Sequence, residues 1–224
     1  MHMKIRDSAP PVFGLMLVVF LTFGSGCTIV RHDDDQKEED GEISIYFDTG
    51  EFDATVYVDS IWNERVLPRI REQAVEADTL FGMLKEEPDT AIEKYGYRIE
   101  ITAPFNFMVS GTAKVISVNT ESAASTISLD LTGPDGKPVE IQIGPVMKGT
   151  AVRDSMDFIN FDDFTNQLEF ANVSRELNNK IKAVVLNDLD REALQGKMVD
   201  FLGAFQWVEG KSILITPVEL KPEE

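Results

Sequence analysis

The chain has 224 residues, of which 43% are hydrophobic and 27% are charged, and it carries a formal net charge of -18 at pH 7. This composition is typical of a globular protein and excludes a disordered polymer, a disulfide-rich scaffold and a protein with many membrane spans. The acidic excess also argues against nucleic acid as a partner, because phosphate binding draws most of its affinity from lysine and arginine.

The N-terminal segment has the parts of an export signal. Lys4 and Arg6 precede an apolar run at residues 12–23, and residues 24–27 read GSGC. The run is shorter than the roughly 20 residues of a membrane-spanning helix, and small residues before a cleavage point are typical of a secretory signal. Because a cysteine follows them, the segment resembles a bacterial lipoprotein signal. We expect the first 26 residues to be removed and Cys27 to carry a lipid that anchors the protein to a membrane; an ordinary signal peptide and an uncleaved anchor helix are the alternatives.

Residues 27–42 are predicted to form an acidic, flexible tether. Between Arg31 and Glu42 there are seven acidic residues against one arginine and one lysine, and such a segment cannot bury enough apolar surface to become ordered. The expected location is the periplasmic side of the bacterial envelope. Thr28, which follows the cysteine, slightly favours the outer membrane if the host is diderm.

No histidine or cysteine is left for the folded body. His2 lies in the signal, His32 lies in the tether, and Cys27 is the expected lipid acceptor. Catalytic sites of the Ser-His-Asp and Cys-His kinds, and zinc sites built on these residues, are therefore excluded. We predict no cofactor and no metal. An enzyme would have to use a carboxylate pair, a Ser-Lys arrangement or a hard metal held by oxygen atoms.

Residues 43–98 are predicted to form an N-terminal helical region. Apolar residues recur every four positions, as on one face of a helix: Val58, Trp62, Val66 and Ile70. Pro68 predicts a helix restart near Leu67, and the spacing of a capping box at Thr90–Glu93 predicts the start of a further short helix. Trp62 and Asp59 could form a platform for a sugar, although a tryptophan on an apolar stripe more often packs in the core.

Residues 99–224 are predicted to be rich in strands. The alternation at residues 104–119 indicates two strands, or one strand bent at Gly111. Residues 127–131 and 139–143 are predicted to pair as a hairpin around a turn at Gly133–Gly136, and residues 148–154 to add a strand edge. Two further strands, at 197–208 and 212–218, are predicted to end the chain.

A long helix is predicted from about Phe164 to Leu186, with Asp162 or Asp163 as its N-cap. Its expected buried face consists of Leu168, Ala171, Leu177, Ile181 and Val184 or Val185. Three strand units, a helix and a final hairpin follow one another as in an OB-type barrel. The predicted fold is therefore α+β: a small Greek-key barrel of about five to six strands, with a helix inserted before the last two and a helical region in front. An ordinary α+β sandwich would share this order.

Four segments carry a family resemblance: FDATVYVDSIWNERVLPRIREQAVEADTL at 52–80, IGPVMKGTAVRD at 143–154, FINFDDFTNQLEFANVSRELN at 158–178 and MVDFLGAF at 198–205. Together they resemble a bacterial family of predicted periplasmic lipoproteins of unknown function, over most of the mature chain. The resemblance implies an OB-like barrel with an added helical region, an envelope location and frequent association with ABC-type sugar-uptake systems. It implies no activity and no catalytic residues.

Candidate binding residues cluster before and at the start of the long helix: Lys148, Arg153, Asp154, Asn160, Asp163, Asn166 and Gln167. The planar guanidinium of Arg153 could hold a carboxylate or a phosphate, and the amide side chains could bond sugar hydroxyls. The favoured alternative is that Arg153 pairs with a neighbouring aspartate while the amides tie the connecting segment to the helix. Asp188 and Asp190 suggest part of a calcium loop, but the glycine of such a loop is missing, so helix capping and surface charge are favoured.

Two functions remain open at this point. The favoured one is a lipoprotein without catalytic activity, which binds a small carbohydrate or a transporter component beside a sugar-uptake system. The alternative is a carbohydrate-active enzyme, which would need two Asp or Glu groups about 5–10 Å apart in one cleft. The spacing of the carboxylates along the chain identifies no such pair.

Overall fold

The sheet is built around one long strand. The computed structural model describes residues 52–223. Strand β2 (Phe105–Asn119) is continuous through Gly111. Its first ten residues pair with β5 (Met198–Trp207), and its last five lie along β3 (Thr126–Thr132), in both cases antiparallel. The strand therefore changes partner midway, which requires it to bend.

The strands close into a ring. β3 pairs with β4 (Pro138–Gln142), β4 pairs in parallel with β6 (Leu214–Pro222), and β6 pairs with β5, which returns to β2. The helix of the second half of the chain lies between β4 and β5 in sequence. This confirms the predicted α+β fold, with an OB-like ring and a helix before the last two strands.

The turn between β3 and β4 has the predicted form. The Gly133 N–H donates to the Lys137 carbonyl at 2.9 Å, and the Gly136 N–H donates to the Gly133 carbonyl at 2.9 Å. Gly136 has a φ of 78°, in the left-handed region that favours glycine. Burial raises the pKa of the Asp135 carboxyl, but hydrogen bonds from Lys137 and Ser212 outweigh this effect and leave that pKa below its ordinary value.

Helices precede the ring, as predicted. They are α1 (Ala54–Ile61), α2 (Leu67–Gln73), α3 (Ala77–Glu86) and α4 (Pro88–Tyr95), with a π turn at Trp62–Val66. The restart at Leu67 is confirmed. The start expected at Thr90–Glu93 is wrong, because Pro88 opens α4 and proline suits the first helical turn. The short strand β1 (Val75–Glu76) pairs in parallel with β2 and is too short for its periodicity to show in the sequence.

The segment after β4 departs further from the predictions. Ala151–Asp154 forms the short helix α5 rather than a strand edge. A 3-10 turn follows at Phe161–Asp163, and then α6 runs over Gln167–Ile181. The predicted N-caps Asp162 and Asp163 are wrong, because the Asn166 side chain accepts the N–H groups of Leu168 and Glu169. A second π turn at Lys182–Leu186 continues the rod, and a 3-10 turn lies at Glu192–Leu194.

The buried face of α6 differs from the predicted one at both ends. Val173, Leu177, Ile181 and Leu186 are buried, whereas Leu168 is 55% and Val184 is 54% exposed. Ala171 is exposed as well. The stripe advances four residues at a time to Ile181 and then five to Leu186, since a π turn takes one more residue than an α-helical turn.

Helices and ring share one core. Phe107 of β2 stacks on Phe205 of β5 with ring centres 5.6 Å apart, and Phe81 of α3 packs against Phe205 at 5.8 Å. Contacts among these rings connect the interior of the sheet with the helical layer. Residues 52–223 therefore behave as one compact unit.

The close approach of β5 to β6 generates a stability prediction. A Cβ at Gly203 would lie 2.5 Å from the Thr216 carbonyl oxygen and 2.7 Å from a methyl carbon of Ile215. We expect Gly203→Ala to lower the free energy of unfolding by about 2 kcal/mol, because backbone at this distance cannot yield as a flexible side chain does. Urea unfolding measures the change.

The matched control is Gly82→Ala in α3, where a Cβ meets nothing within 4 Å. This substitution should stabilise the protein by about 0.5–1 kcal/mol, because alanine is the better helix former. Equal unfolding midpoints for the two variants would contradict the packing described here.

Candidate functional site

A buried ion pair lies at the centre of the segment that connects the ring to α6. The Arg153 Nε donates to Asp154 Oδ1 at 2.7 Å, and its Nη2 lies 2.6 Å from the same oxygen. Its Nη1 donates to the Phe170 carbonyl at 3.1 Å, and its carbon Cζ lies 3.7 Å from the centre of the Phe170 ring. Only 10% of either charged side chain is exposed. The guanidinium is thus committed to the protein rather than presented to a ligand.

Asp154 fastens this pair to the ring. Its Oδ2 accepts the Thr150 hydroxyl, and its carbonyl accepts Asn106 Nδ2 of β2 at 3.4 Å. Asn106 is 1% exposed, and its Oδ1 has no hydrogen-bond partner among the described residues. Strand β2, helix α5 and the start of α6 therefore meet around two adjacent residues.

A second ion pair holds the connecting segment against the helical layer. Arg69 Nη2 of α2 lies 2.5 Å from Asp157 Oδ2. Tyr97 lies nearby: burial raises the pKa of its phenol, the Asp157 carboxylate raises it further, and Arg69 opposes the change. The pKa of the Tyr97 phenol therefore lies above its ordinary value.

The amide side chains of the predicted site close local turns. Asp163 Oδ2 accepts the Asn160 N–H at 3.1 Å, and Asn166 Oδ1 accepts the N–H groups of Leu168 and Glu169 at 2.9 and 3.0 Å. The Glu169 carboxylate accepts the Thr165 N–H at 2.9 Å and the Asn166 side-chain amide at 3.2 Å, so it ties the first turn of α6 to the residues before it.

The two ends of the predicted cluster are exposed. Lys148 donates its backbone N–H to Gln142 Oε1 at 2.7 Å, and its side chain, like that of Gln167, faces solvent. The structure thus brings the predicted residues into one connecting segment, where most of their polar atoms bond the protein itself.

Trp62 and Asp59 do not face a common surface. Trp62 is 3% exposed and lies in the core at the start of the first π turn. Asp59 is exposed and accepts Lys180 Nζ of α6 at 2.8 Å. No aromatic platform forms there, because the indole ring is inside the protein. Cys27, the predicted lipid acceptor, lies outside the described residues.

A cleft lies between the loop after α6 and the open ends of β5 and β6. Its volume is about 540 Å³. The apolar part of the lining is formed by Val185, Leu189, Ala193, Leu194, Leu220 and Pro222, and the charged part by Asp188, Asp190, Lys197 and Lys221. The volume falls within the range of small-molecule sites, which are also mostly apolar with a few polar groups.

Arg191 fixes the loop that forms one wall of this cleft. Its Nε donates to the Ile143 carbonyl at 2.7 Å, and its Nη2 donates to the Leu186 carbonyl at 3.1 Å. Asp190 Oδ1 accepts the Ala193 N–H at 3.2 Å. The wall is therefore held by the body of the protein rather than by a ligand.

The charges of the cleft are not paired across it. Lys221 lies 3.4 Å from Glu219, outside the lining, and within residues 52–223 neither lining aspartate forms a salt bridge with either lining lysine. The lining thus carries both ammonium groups and carboxylates, of which Lys221 is paired with Glu219 and Asp188 accepts the neighbouring Asn187 side chain. The sequence did not reveal this site because its residues come from two separate segments, and Asp188 and Asp190 were interpreted as surface and capping charges.

Within residues 52–223, no group of three or more histidine, cysteine, aspartate or glutamate residues is placed to hold a metal ion. None of the helices described is both long enough and apolar enough to span a membrane.

Comparison with known proteins gives a family and a fold. The model of the family described as predicted periplasmic lipoprotein (DUF2291) matches residues 17–221. The solved structure of an OB-fold protein from Thermotoga maritima is similar with a TM-score of 0.61 and 18% sequence identity, and the match covers 77% of this chain and 99% of that one. No curated protein matches. The OB-like fold therefore has independent support, and the similarity at this identity concerns the fold alone.

The buried pair yields a prediction that separates structure from ligand binding. Arg153→Ala should lower the free energy of unfolding by about 3 kcal/mol or more, because it leaves the Asp154 carboxylate buried without its partner. Arg71→Ala is the control: Arg71 pairs with Glu219 at 2.6 Å, but its side chain is 57% exposed, so a loss below about 1 kcal/mol is expected. Denaturant unfolding of both variants measures the difference. Equal losses would contradict a structural role for the buried pair.

Proposed function

This chain belongs to the family of predicted periplasmic lipoproteins, a family of unknown function, and we propose that it acts as a non-catalytic binding module anchored through a lipid on Cys27. It binds a small hydroxyl-rich solute in the cleft beside α6, and it works next to an ATP-driven sugar-uptake system. The charged, preformed cleft is the observation that carries this proposal.

The chemistry of the cleft supports a sugar that also carries an acidic group. The Lys197 and Lys221 ammonium groups can donate to a carboxylate or a phosphate, while the Asp188 and Asp190 carboxylates can accept from hydroxyls. The apolar part of the lining suits the C–H faces of a sugar ring. An uronic acid or a sugar phosphate satisfies both kinds of wall.

The anchor and the transporter are supported by the sequence. The short apolar run before GSGC is typical of a lipoprotein signal, and the resemblance to the family implies a place beside sugar-uptake systems. A lipid anchor would keep the cleft within reach of a membrane transporter and raise its effective concentration there.

A carbohydrate-active enzyme is the second candidate, favoured by one observation. Asp188 and Asp190 both line the cleft, and two carboxylates beside a bound sugar are what glycoside hydrolysis uses. Both aspartates come from one loop, and Asp190 already accepts a backbone N–H. Hydrolysis would require the two carboxylates to flank a glycosidic bond. Binding has no such requirement, so the binding role is preferred.

Thermal unfolding of the full-length protein in detergent tests the binding role. With uronic acids and sugar phosphates as probes, we expect one class to raise Tm, because a ligand that binds only the native state stabilises it by about 2.7 kcal/mol at one hundred times its Kd. The double variant Lys197→Ala/Lys221→Ala should lose the shift. The exposed Lys211, in the turn between β5 and β6 and outside the cleft lining, supplies the control Lys211→Ala.

Two outcomes of that experiment, and one of a separate hydrolysis assay, speak against the binding role. A Tm unchanged by every probe, or a shift that survives in the double variant, would exclude the cleft as the site. Release of reducing sugar from an oligosaccharide, lost on Asp188→Asn, would favour the enzyme instead.

Growth of the native host tests the anchor and the transporter. Deleting the gene should impair uptake of one sugar, and Cys27→Ser should both abolish labelling with a radioactive fatty acid and fail to restore uptake. Restoration by the wild-type gene is the control. Normal uptake of every sugar tested in the deletion strain would contradict the proposed accessory role.

A further inference from the structure

Five aromatic rings form a contiguous cluster at the N-terminal end of α6. The Phe164 ring lies 5.2 Å from Phe52, 5.7 Å from Tyr57 and 5.6 Å from Phe170, measured between ring centres. Phe161 packs edge-on against Phe170 at 5.6 Å. The cluster thus bridges the residue before α1, helix α1, the 3-10 turn and α6.

The outer side of the cluster is open to solvent. Phe161 is 38% exposed, and the two helices that hold the cluster expose Val56 of α1 to 65% and Leu168 of α6 to 55%. The other four rings are half-buried. We call this surface the aromatic patch; its residues are Phe52, Tyr57, Phe161, Phe164 and Phe170. Contiguous apolar surface that is open to solvent often marks an interaction site.

Exposed carboxylates border the aromatic patch. Asp53, Asp162 and Asp163 are exposed, and within residues 52–223 none of them forms a salt bridge. Burial raises the pKa of the Tyr57 phenol, Arg65 opposes this rise and Asp163 adds to it, so both charges lie close to the patch. Arg65 itself stacks on Phe158 at 3.8 Å. The border is therefore mainly acidic around an apolar centre, which is the usual layout of a protein interface.

We propose that the aromatic patch docks a protein partner whose apolar surface is edged by lysine or arginine, at the membrane to which the chain is anchored. The membrane location rests on the proposed lipid on Cys27, whereas the docking surface does not. Phe52 directly follows the 51 residues that precede the described part of the chain. The patch therefore stands where the body joins the segment with the anchor.

The acidic border selects this occupant over two others. A second copy of the chain, docked through the same surface, would set carboxylate against carboxylate, and juxtaposed like charges oppose association. A membrane rich in anionic lipid attracts basic segments, not an acidic border. A partner with a basic edge gains attraction at the rim and buries the apolar centre.

The patch and the cleft can be occupied at the same time. Phe170 of the patch lies near the start of α6, and Val185 of the cleft lies in the π turn that continues it. At 1.5 Å per residue, the rod separates them by about 22 Å. Docking of a partner at one end therefore leaves the cleft at the other end open.

Site-specific photocrosslinking in the native host tests this inference on the full-length chain. Benzoylphenylalanine is placed at Phe161 of the patch and, as the control, at Val184, which is more exposed and lies at the far end of the rod. We expect one discrete protein adduct from position 161 and none from position 184. Mass spectrometry should place the crosslinked peptide on an apolar surface edged by lysine or arginine.

Charge reversal tests the border. Asp162→Lys should reduce the adduct at least fivefold, and exchanging a basic edge residue of the identified partner for glutamate should restore it. Asp89→Lys, an exposed change on α4, is the control and should leave the adduct unchanged. Unaltered Tm values for both variants establish that the fold is kept.

Several results would overturn the inference. These are an adduct with a second copy of this chain, a phospholipid adduct without protein, equal adducts at both positions, insensitivity to Asp162→Lys, and no adduct at all. If crosslinking fails while the ligand-induced Tm shift persists, the docking proposal is wrong and the binding role of the cleft is supported. If the adduct forms but no probe shifts Tm, the docking proposal is supported and the binding role of the cleft is wrong.

Discussion

The position of α6 on the strand ring depends on the buried ion pair between the neighbouring residues Arg153 and Asp154. The arginine bonds the Phe170 carbonyl and covers the Phe170 ring, while the aspartate is bonded to Thr150 and, through its carbonyl, to Asn106 of β2. Opposite charges in a dry interior are costly to separate, so this arrangement has few alternatives. These contacts fix the first turns of α6, and the position of the rest of the helix is set by them.

Both candidate interaction surfaces are arranged by that helix. Its first turn carries Phe170 of the aromatic patch, and its π turn carries Val185 of the cleft. The ion pair between Asp59 and Lys180 adds a contact from α1 to the same helix. Polar side chains that suggested a ligand site in the sequence instead build the support on which the two surfaces are displayed. The binding role that we propose needs rigid placement of these surfaces more than reactive groups.

Local sequence patterns predicted the elements whose cause is local. The four-residue repeat from Val58 to Ile70, the restart at Leu67 and the Gly133–Gly136 turn all arise from neighbouring residues. The strand order with one helix before the last pair was enough to indicate the OB-like fold. Of the two positions predicted to end the buried face, Val184 is exposed and Val185 is half-buried against the core, because a π turn shifts the helical phase by one residue and the composition does not predict such a turn.

The site was harder to predict because its parts are distant in sequence. Asp190 and Lys221 meet in one cleft only after the ring has closed, and Phe52 meets Phe164 only after α1 has packed on α6. Neither pairing follows from periodicity. The export signal and the lipid acceptor are, in contrast, predictions from linear motifs, and both lie outside the described residues.

Closure of the ring by its last two strands has a consequence for how the chain acquires its structure. Phe105 pairs with Trp207 and Lys114 with Met198, so the most extensive pairing joins residues separated by about half the described chain. Contacts of such long range slow folding, because the loop has to be closed before the contacts can stabilise it. β2 obtains its β5 partner, and β4 its β6 partner, only after nearly all of the polypeptide has emerged from the ribosome or the export channel. Until then those strand edges stay unpaired and within reach of chaperones and proteases, which gives the quality-control machinery of the compartment a long interval in which to act.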